Sequence, residues 1–266
     1  MMGHLSAAFV LVLAFSNLSY GGTADPADPA GTAGRADAVT TGSAITKEMF
    51  LEKMQSSGPY WTWMATYQDP TQTQKRTCIS TEEVTETTDS TDTVFLQKYK
   101  FEGCDWFTYT HDAYYNVTFE ERRQGATDGL KMRWVPIADV TKPSSSNTKV
   151  YGTERDYTFK YWDEKEECFV LTYNSSEDKK ECELLVWKPE LTAKTAEQVE
   201  TEARTDGKTE MRLQERFQEC KSQYKTECPK ASEEILFNKY CKITGAEFIK
   251  LISSKSEQFD ISKCSQ

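Results

Sequence analysis

Between Pro59 and Trp187 the apolar residues return at every second position, in runs too short for helices. A period of two puts alternate side chains on opposite faces of a strand. The run "PYWTWMATYQ" places Trp61, Trp63, Ala65 and Tyr67 on one face, with Thr62 and Thr66 on the other. "TVFLQKYKF" aligns Phe95, Gln97, Tyr99 and Phe101, and "DWFTYTHDAYYNVTFEERR" is a long aromatic run. "LKMRWVPIADV" and "TKVYG" read as shorter strands, and "DYTFKYWDE" sets Tyr157, Phe159 and Tyr161 against Thr158, Lys160 and Trp162. "EECFVLTYNSSEDKKECELLVW" adds two strands about a polar turn. Roughly eight strands separated by turn signals predict an antiparallel sandwich or barrel.

The flanks read differently. Residues 46–55, "TKEMFLEKMQ", predict a short helix capped by Thr46, with Met49, Phe50 and Met54 on one side. In "KTEMRLQERFQECKSQYK", Leu213, Phe217, Cys220 and Tyr224 form one helix face whose stripe must rest on something apolar. Residues 190–207 are polar and helix-prone up to Gly207, and "GAEFIKLISS" suggests a last short helix. At the other end, Ala7–Phe15 is an apolar stretch followed by small residues, a signal-peptide pattern over 1–22. It is shorter than the roughly 20 residues a membrane span needs. Residues 23–44 are rich in Ala, Gly, Thr and Pro and bury too little apolar surface to fold, so disorder is expected there. The expected layout is a folded domain over 45–244, with strands to about 188 and then helix and tail, followed by an extension over 245–266.

There are eight cysteines, and an even count in a secreted, extracellular chain implies up to four disulfides. No Cys-x-x-Cys is present, and His111 is the lone histidine after the signal, so neither metal nor cofactor is expected. The net charge of −10 argues against nucleic acid. It gives weak support for a cationic ligand, although a solubilising acidic surface explains it as well. Asn116-Val117-Thr118 and Asn174-Ser175-Ser176 are glycosylation acceptors. An outward Asn116 would turn Tyr115, Val117 and Phe119 inward. No nucleophile elbow, zinc motif or phosphate loop occurs, so no enzyme activity is expected. In the hairpin, a turn close to Ser176 and Glu177 is expected to set Cys168 at the strand end opposite Trp187 rather than Cys182. A direct Cys168–Cys182 bond needs a different register; the simpler arrangement sends Cys168 to another element, for which the helix carrying Cys220 is a good candidate.

Taken in order, "YWTWMATYQ", the later "TC", "ECFVL" with "ELLVW", a cysteine-bearing helix and a terminal "FNKYC" resemble the tick salivary lipocalins of the histamine-binding-protein family, over about residues 46–243. The resemblance implies a mainly β fold: an eight-stranded antiparallel lipocalin-like barrel with a short N-terminal helix and a C-terminal helix packed outside. It implies the disulfides Cys78–Cys241 and Cys168–Cys220, and leaves Cys104, Cys182, Cys228 and Cys264 unassigned. It also implies non-catalytic sequestration of a small host mediator in saliva, as part of evading host defence. The mediator would be a biogenic amine such as histamine or serotonin, or a lipid such as a leukotriene. Some members instead capture host plasma proteins such as complement components through their surface. The sequence departs from the family's amine-binding signature at Phe169, where an aspartate is the rule; Glu183 is the matching acidic group that remains.

The candidate lining is Trp61, Trp63, Tyr67, Phe95, Tyr99, Phe101, Tyr115, Phe119, Tyr157, Phe159 and Tyr161, with Trp187. Each of these aromatics either lines a ligand chamber or simply fills the core. Glu183 shares a strand face with Leu185 and Trp187. Facing inward, it would suit an ammonium; otherwise it faces out or pairs with a lysine or arginine. A monomer with no membrane contact is expected.

Overall fold

The computed structural model describes residues 45–66, 75–85, 93–102, 111–120, 129–142, 149–176, 179–189, 216–231, 234–238, 240–242, 246, 249–250 and 253. Helix α1 is Lys47–Ser57. Thr46 caps it in extended backbone, accepting the Met49 N–H at 3.2 Å. Gly58 ends it at φ 74°, in the left-handed region that favours glycine. Phe50 and Met54, four residues apart, are buried, whereas Met49 turns out to solvent. Adjacent helical residues diverge by over a quarter turn, so Met49 cannot share the face of Phe50 and Met54.

Eight strands follow: β1 (Tyr60–Ala65), β2 (Arg76–Glu83), β3 (Thr93–Phe101), β4 (His111–Glu120), β5 (Lys131–Ile137), β6 (Arg155–Asp163), β7 (Cys168–Ser176) and β8 (Lys179–Trp187). Each pairs antiparallel with the next, and β8 pairs with β1, so the sheet closes into a lipocalin-like barrel. A second helix, α2 (Gln218–Glu227), packs against the outside of β6, β7 and β8.

The eight strands are not all the ones that the sequence pattern marks. "TKVYG" contributes no strand among its described residues, 149–152. In its place "RTCISTEE" forms β2, a polar segment held in the sheet by its neighbours on both sides. In the hairpin, Cys168 faces Val186 rather than Trp187, and Cys182 faces Thr172. A register shift between Asn174 and Ser176 accounts for the offset of one residue.

Pairing sorts the buried residues into two clusters. The inner one includes Tyr60, Phe95, Tyr99, Tyr115, Trp134, Tyr157, Phe159, Phe169, Leu185 and Trp187, together with Phe50 from α1. The Phe50 ring is fully buried and lies 5.1 Å from Phe159, 5.7 Å from Phe169 and 6.2 Å from Trp187, centre to centre. Truncating such a buried phenylalanine to alanine costs about 3–5 kcal/mol. α1 therefore closes one end of the barrel with an aromatic plug. The end is also tied by Lys53 to Glu167 at 2.7 Å.

The outer cluster holds Trp61, Trp63, Met64, Val170, Leu184, Val186, Phe217, Tyr224 and Phe237, with Cys78, Cys168, Cys182, Cys220, Cys228 and Cys241. Cys168–Cys220 and Cys182–Cys228 fasten α2 to β7 and β8, and an ion pair joins Lys180 to Glu227. Phe217 precedes α2 in the left-handed region and supplies no side-chain cap. The Glu166 carboxylate accepts backbone N–H groups of Glu219 and Cys220 in its stead.

β1 and β2 pair only over Tyr60–Thr81 and Trp61–Ser80. Beyond that both strands are irregular: β1 shifts register between Thr62 and Met64, and Cys78 takes φ 51°. Leu236 bridges the gap. Its N–H donates to Trp63 O at 2.8 Å, and its carbonyl accepts from Cys78 N at 2.9 Å. Phe237 then stacks on Trp63 with centroids 5.7 Å apart, and Cys78–Cys241 locks the segment in place. The C-terminal segment thus replaces part of the β1–β2 ladder.

Candidate functional site: the polar end of the barrel interior

Strand direction fixes the two ends. β1 leaves α1 at Tyr60, and its far residue Ala65 pairs with Glu183. Arg76 begins β2 and Arg155 begins β6 at that same far end. The inner faces of the sheet carry these three charges because pairing keeps partners on one face: Leu171 opposite Glu183, and Trp134 opposite Arg155.

Glu183 is 6% exposed and Arg155 9% exposed, which is rare for charges unless they are paired. Arg155 Nη1 donates to Glu183 Oε1 at 3.2 Å and to the Tyr157 hydroxyl at 2.9 Å. The Tyr157 hydroxyl in turn donates to Glu183 Oε1 at 3.0 Å. The Arg155 guanidinium also lies 5.0 Å from the centre of the Tyr173 ring. Arg76, 6% exposed, lies 4.3 Å above the Tyr99 ring, a cation–π contact. Thr62, Thr81 and Gln97 are buried polar residues of the same interior.

Burial pushes the Glu183 carboxyl above the usual carboxylate range, against the opposing pull of Arg155, the Tyr157 hydroxyl and Arg76. Burial likewise holds Tyr157 well above an ordinary phenol. Nearer the rim, Glu181 accepts from Thr66 at 2.6 Å and Ser175 at 3.0 Å, and pairs with Lys179 at 2.7 Å. Those bonds outweigh its burial and keep it below the usual range. Deeper in the interior, the indole N–H groups of Trp134 and Trp187 are buried without a hydrogen-bond partner among the described residues. Such donors favour a water or a guest oxygen beside them.

The structure brings Phe95, Tyr99, Tyr115, Tyr157, Phe159, Glu183 and Trp187 together in the interior, with Phe101 and Phe119 half-buried against them. Trp61 and Trp63 do not join them. They lie on the outer face under Phe217 and Phe237, and Tyr60 and Thr62 point inward instead. Tyr161 also packs with the outer cluster, because β6 shifts register between Phe159 and Tyr161. The extra residue turns Trp162 inward, 5.0 Å from Trp187. Tyr67 lies outside the described residues, as do Cys104 and Cys264. The sequence reading misses Arg76, Arg155, Trp134, Phe169 and Tyr173. For Arg155 a signal was present, since it stands two and four residues before Tyr157 and Phe159 on the same alternation.

The disulfides Cys78–Cys241 and Cys168–Cys220 are both formed, and Cys182–Cys228 is a third. Glu166, Cys168 and Cys220 cluster in a way that resembles a metal site, but both sulfurs are committed to a disulfide. No helix among the described residues is long and apolar enough to cross a membrane. In comparisons with known proteins, no family model and no curated protein matches the chain.

Proposed function

We propose that this chain is a secreted, non-catalytic binding protein that encloses a small amphipathic molecule, and that the guest carries an acid group. The observation behind this reading is that the buried Glu183 carboxylate is already held by Arg155 and Tyr157. Two guanidinium groups, Arg76 and Arg155, share a buried space with Glu183, whose carboxylate is already engaged by Arg155 and Tyr157. An ammonium guest would have to compete with Arg155 for that carboxylate. A carboxylate guest would meet two guanidinium groups there and would not have to displace that bond. The apolar remainder of such a guest would match the aromatic character of the interior.

Three disulfides among the described residues support an extracellular setting, in keeping with the apolar stretch at Ala7–Phe15. The resemblance to tick salivary lipocalins supports a host mediator as the guest, and the engagement of Glu183 by Arg155 and Tyr157 favours a lipid acid over histamine or serotonin.

Calorimetric titration with a straight-chain carboxylate, the ammonium of equal length, histamine and serotonin tests the proposal. The carboxylate should bind and the cations should not. Glu183→Gln removes one interior negative charge and should tighten carboxylate binding about tenfold. Histamine or serotonin bound by the wild type and lost in Glu183→Gln would refute the acid-group reading.

A further inference from the structure

We propose that Asn174 carries an N-linked glycan in the secreted protein and that Asn116 stays bare. This rests on the secretion reading and is independent of the guest. Three acceptor triplets occur in the chain: Asn17-Leu18-Ser19, Asn116-Val117-Thr118 and Asn174-Ser175-Ser176. The first falls in the signal-peptide pattern over 1–22 and leaves with it. The barrel separates the other two.

Asn174 stands near the end of β7, paired with Lys180 across the hairpin, where the ladder shifts register before Ser176. Tyr173 packs in the inner cluster, so its neighbour Asn174 points outward. Asn174 and Ser176, the first and third positions of the triplet, are exposed. Between them the Ser175 hydroxyl donates to Glu181 at 3.0 Å. Across the hairpin on the outer face, the Lys180 ammonium pairs with Glu227 at the end of α2. A glycan on Asn174 leaves from that outer face, so no inward side chain has to move.

Asn116 sits in mid-wall. It pairs with Val94 of β3 on one side and Val135 of β5 on the other. It is half-buried, its Oδ1 is shut off from solvent, and Val94 beside it is 4% exposed. The nitrogen that would receive the sugar belongs to the same amide as that oxygen. A sugar on it has to push into this covered part of the wall.

The transfer acts on the chain before it folds, so both triplets meet the same chemistry. The donor is an oligosaccharide joined to a polyprenyl lipid through diphosphate. The asparagine Nδ2 attacks the first sugar carbon and gives up one proton. A C–N bond forms as the C–O bond to the diphosphate breaks, and the lipid diphosphate leaves with that electron pair. Folding then sorts the products. A glycan at Asn174 leaves the sheet intact, whereas one at Asn116 lowers stability, and destabilised chains are triaged before export.

The test expresses the full chain with its own N-terminus in insect cells. Protein from the medium is digested and read by glycopeptide mass spectrometry, before and after an amidase that leaves aspartate at each glycosylated asparagine. Asn174 should be occupied and Asn116 bare. Asn174→Gln and Ser176→Ala should each abolish the glycan, with the secreted chain still folded in thermal melts, and Asn116→Gln should leave the glycan unchanged. Occupancy of Asn116 in the secreted wild type, alone or together with Asn174, overturns the inference. A secreted chain bare at both positions overturns it too and leaves secretion standing. A wild-type chain that stays inside the cells sinks the secretion reading and this one with it.

Discussion

Glu183 ties the stability of the barrel to acidity. Burial raises its pKa above the usual 4.5, although Arg155, Tyr157 and Arg76 pull it down. The folded state then holds the proton more tightly than the unfolded chain. The stability this supplies is fully present below about 4.5 and is lost as pH rises through the elevated value. Glu183→Gln has no proton to lose there. Its melting temperature relative to wild type should therefore improve as the pH is raised above about 4.5; a constant or shrinking difference in calorimetry would contradict this. Removing Arg155 alone should instead cost roughly 3–5 kcal/mol, because it strands a buried carboxylate. Gly152 makes a second case. It takes φ 97°, and any side chain there would run into the Tyr115 hydroxyl. Gly152→Ala should lower stability by about 1–3 kcal/mol in urea titrations, and adding Tyr115→Phe should restore part of that. At this scale the sequence was half legible. Glu183 stood out as an acid spaced among apolar residues. Its partner did not, because an arginine at the start of a strand looks the same whether it ends in solvent or in the core.

The elements show where alternation fails as a guide. It placed Phe95, Gln97, Tyr99 and Phe101 on one face correctly, because β3 runs without interruption against β4. It also oriented β4: Tyr115 and Val117 are buried inside, while Asn116 and Thr118 turn outward. In β1 and β6 an irregularity adds one residue and reverses everything beyond it, and counting by twos cannot detect that. β2 escaped because its polar residues earn their place through pairing rather than through apolar content. The bridging segment at Leu236 was invisible for the same reason, since its contacts are backbone bonds to distant strands. Replacing Cys78 and Cys241 together by serine should cost about 2–5 kcal/mol. In hydrogen exchange the amides of Cys78 and Leu236 should lose protection, while β7 and β8 keep theirs. Equal loosening everywhere would mean that the bridge is not a separable part of the wall.

For the molecule as a whole, seven of the eight strands and their antiparallel sense were readable from period and turn residues, whereas closure came only with the family resemblance. Closure depends on β8 reaching β1, with Tyr60 beside Trp187 and Ala65 beside Glu183. No local pattern encodes a contact between such distant positions; it follows from eight twisted strands needing somewhere to end. A chain ending after Ser176 should elute from a sizing column as aggregate, whereas the full chain elutes as a discrete species. A discrete truncated species would show that β8 is dispensable. The join between first and last strand also bears on biosynthesis. While the chain is being made, Tyr60–Ala65 waits with one border bare until residue 187 has emerged from the ribosome, and a bare border invites pairing with neighbouring chains. The hazard of misassembly therefore falls within translation, and it ends when the last strand arrives.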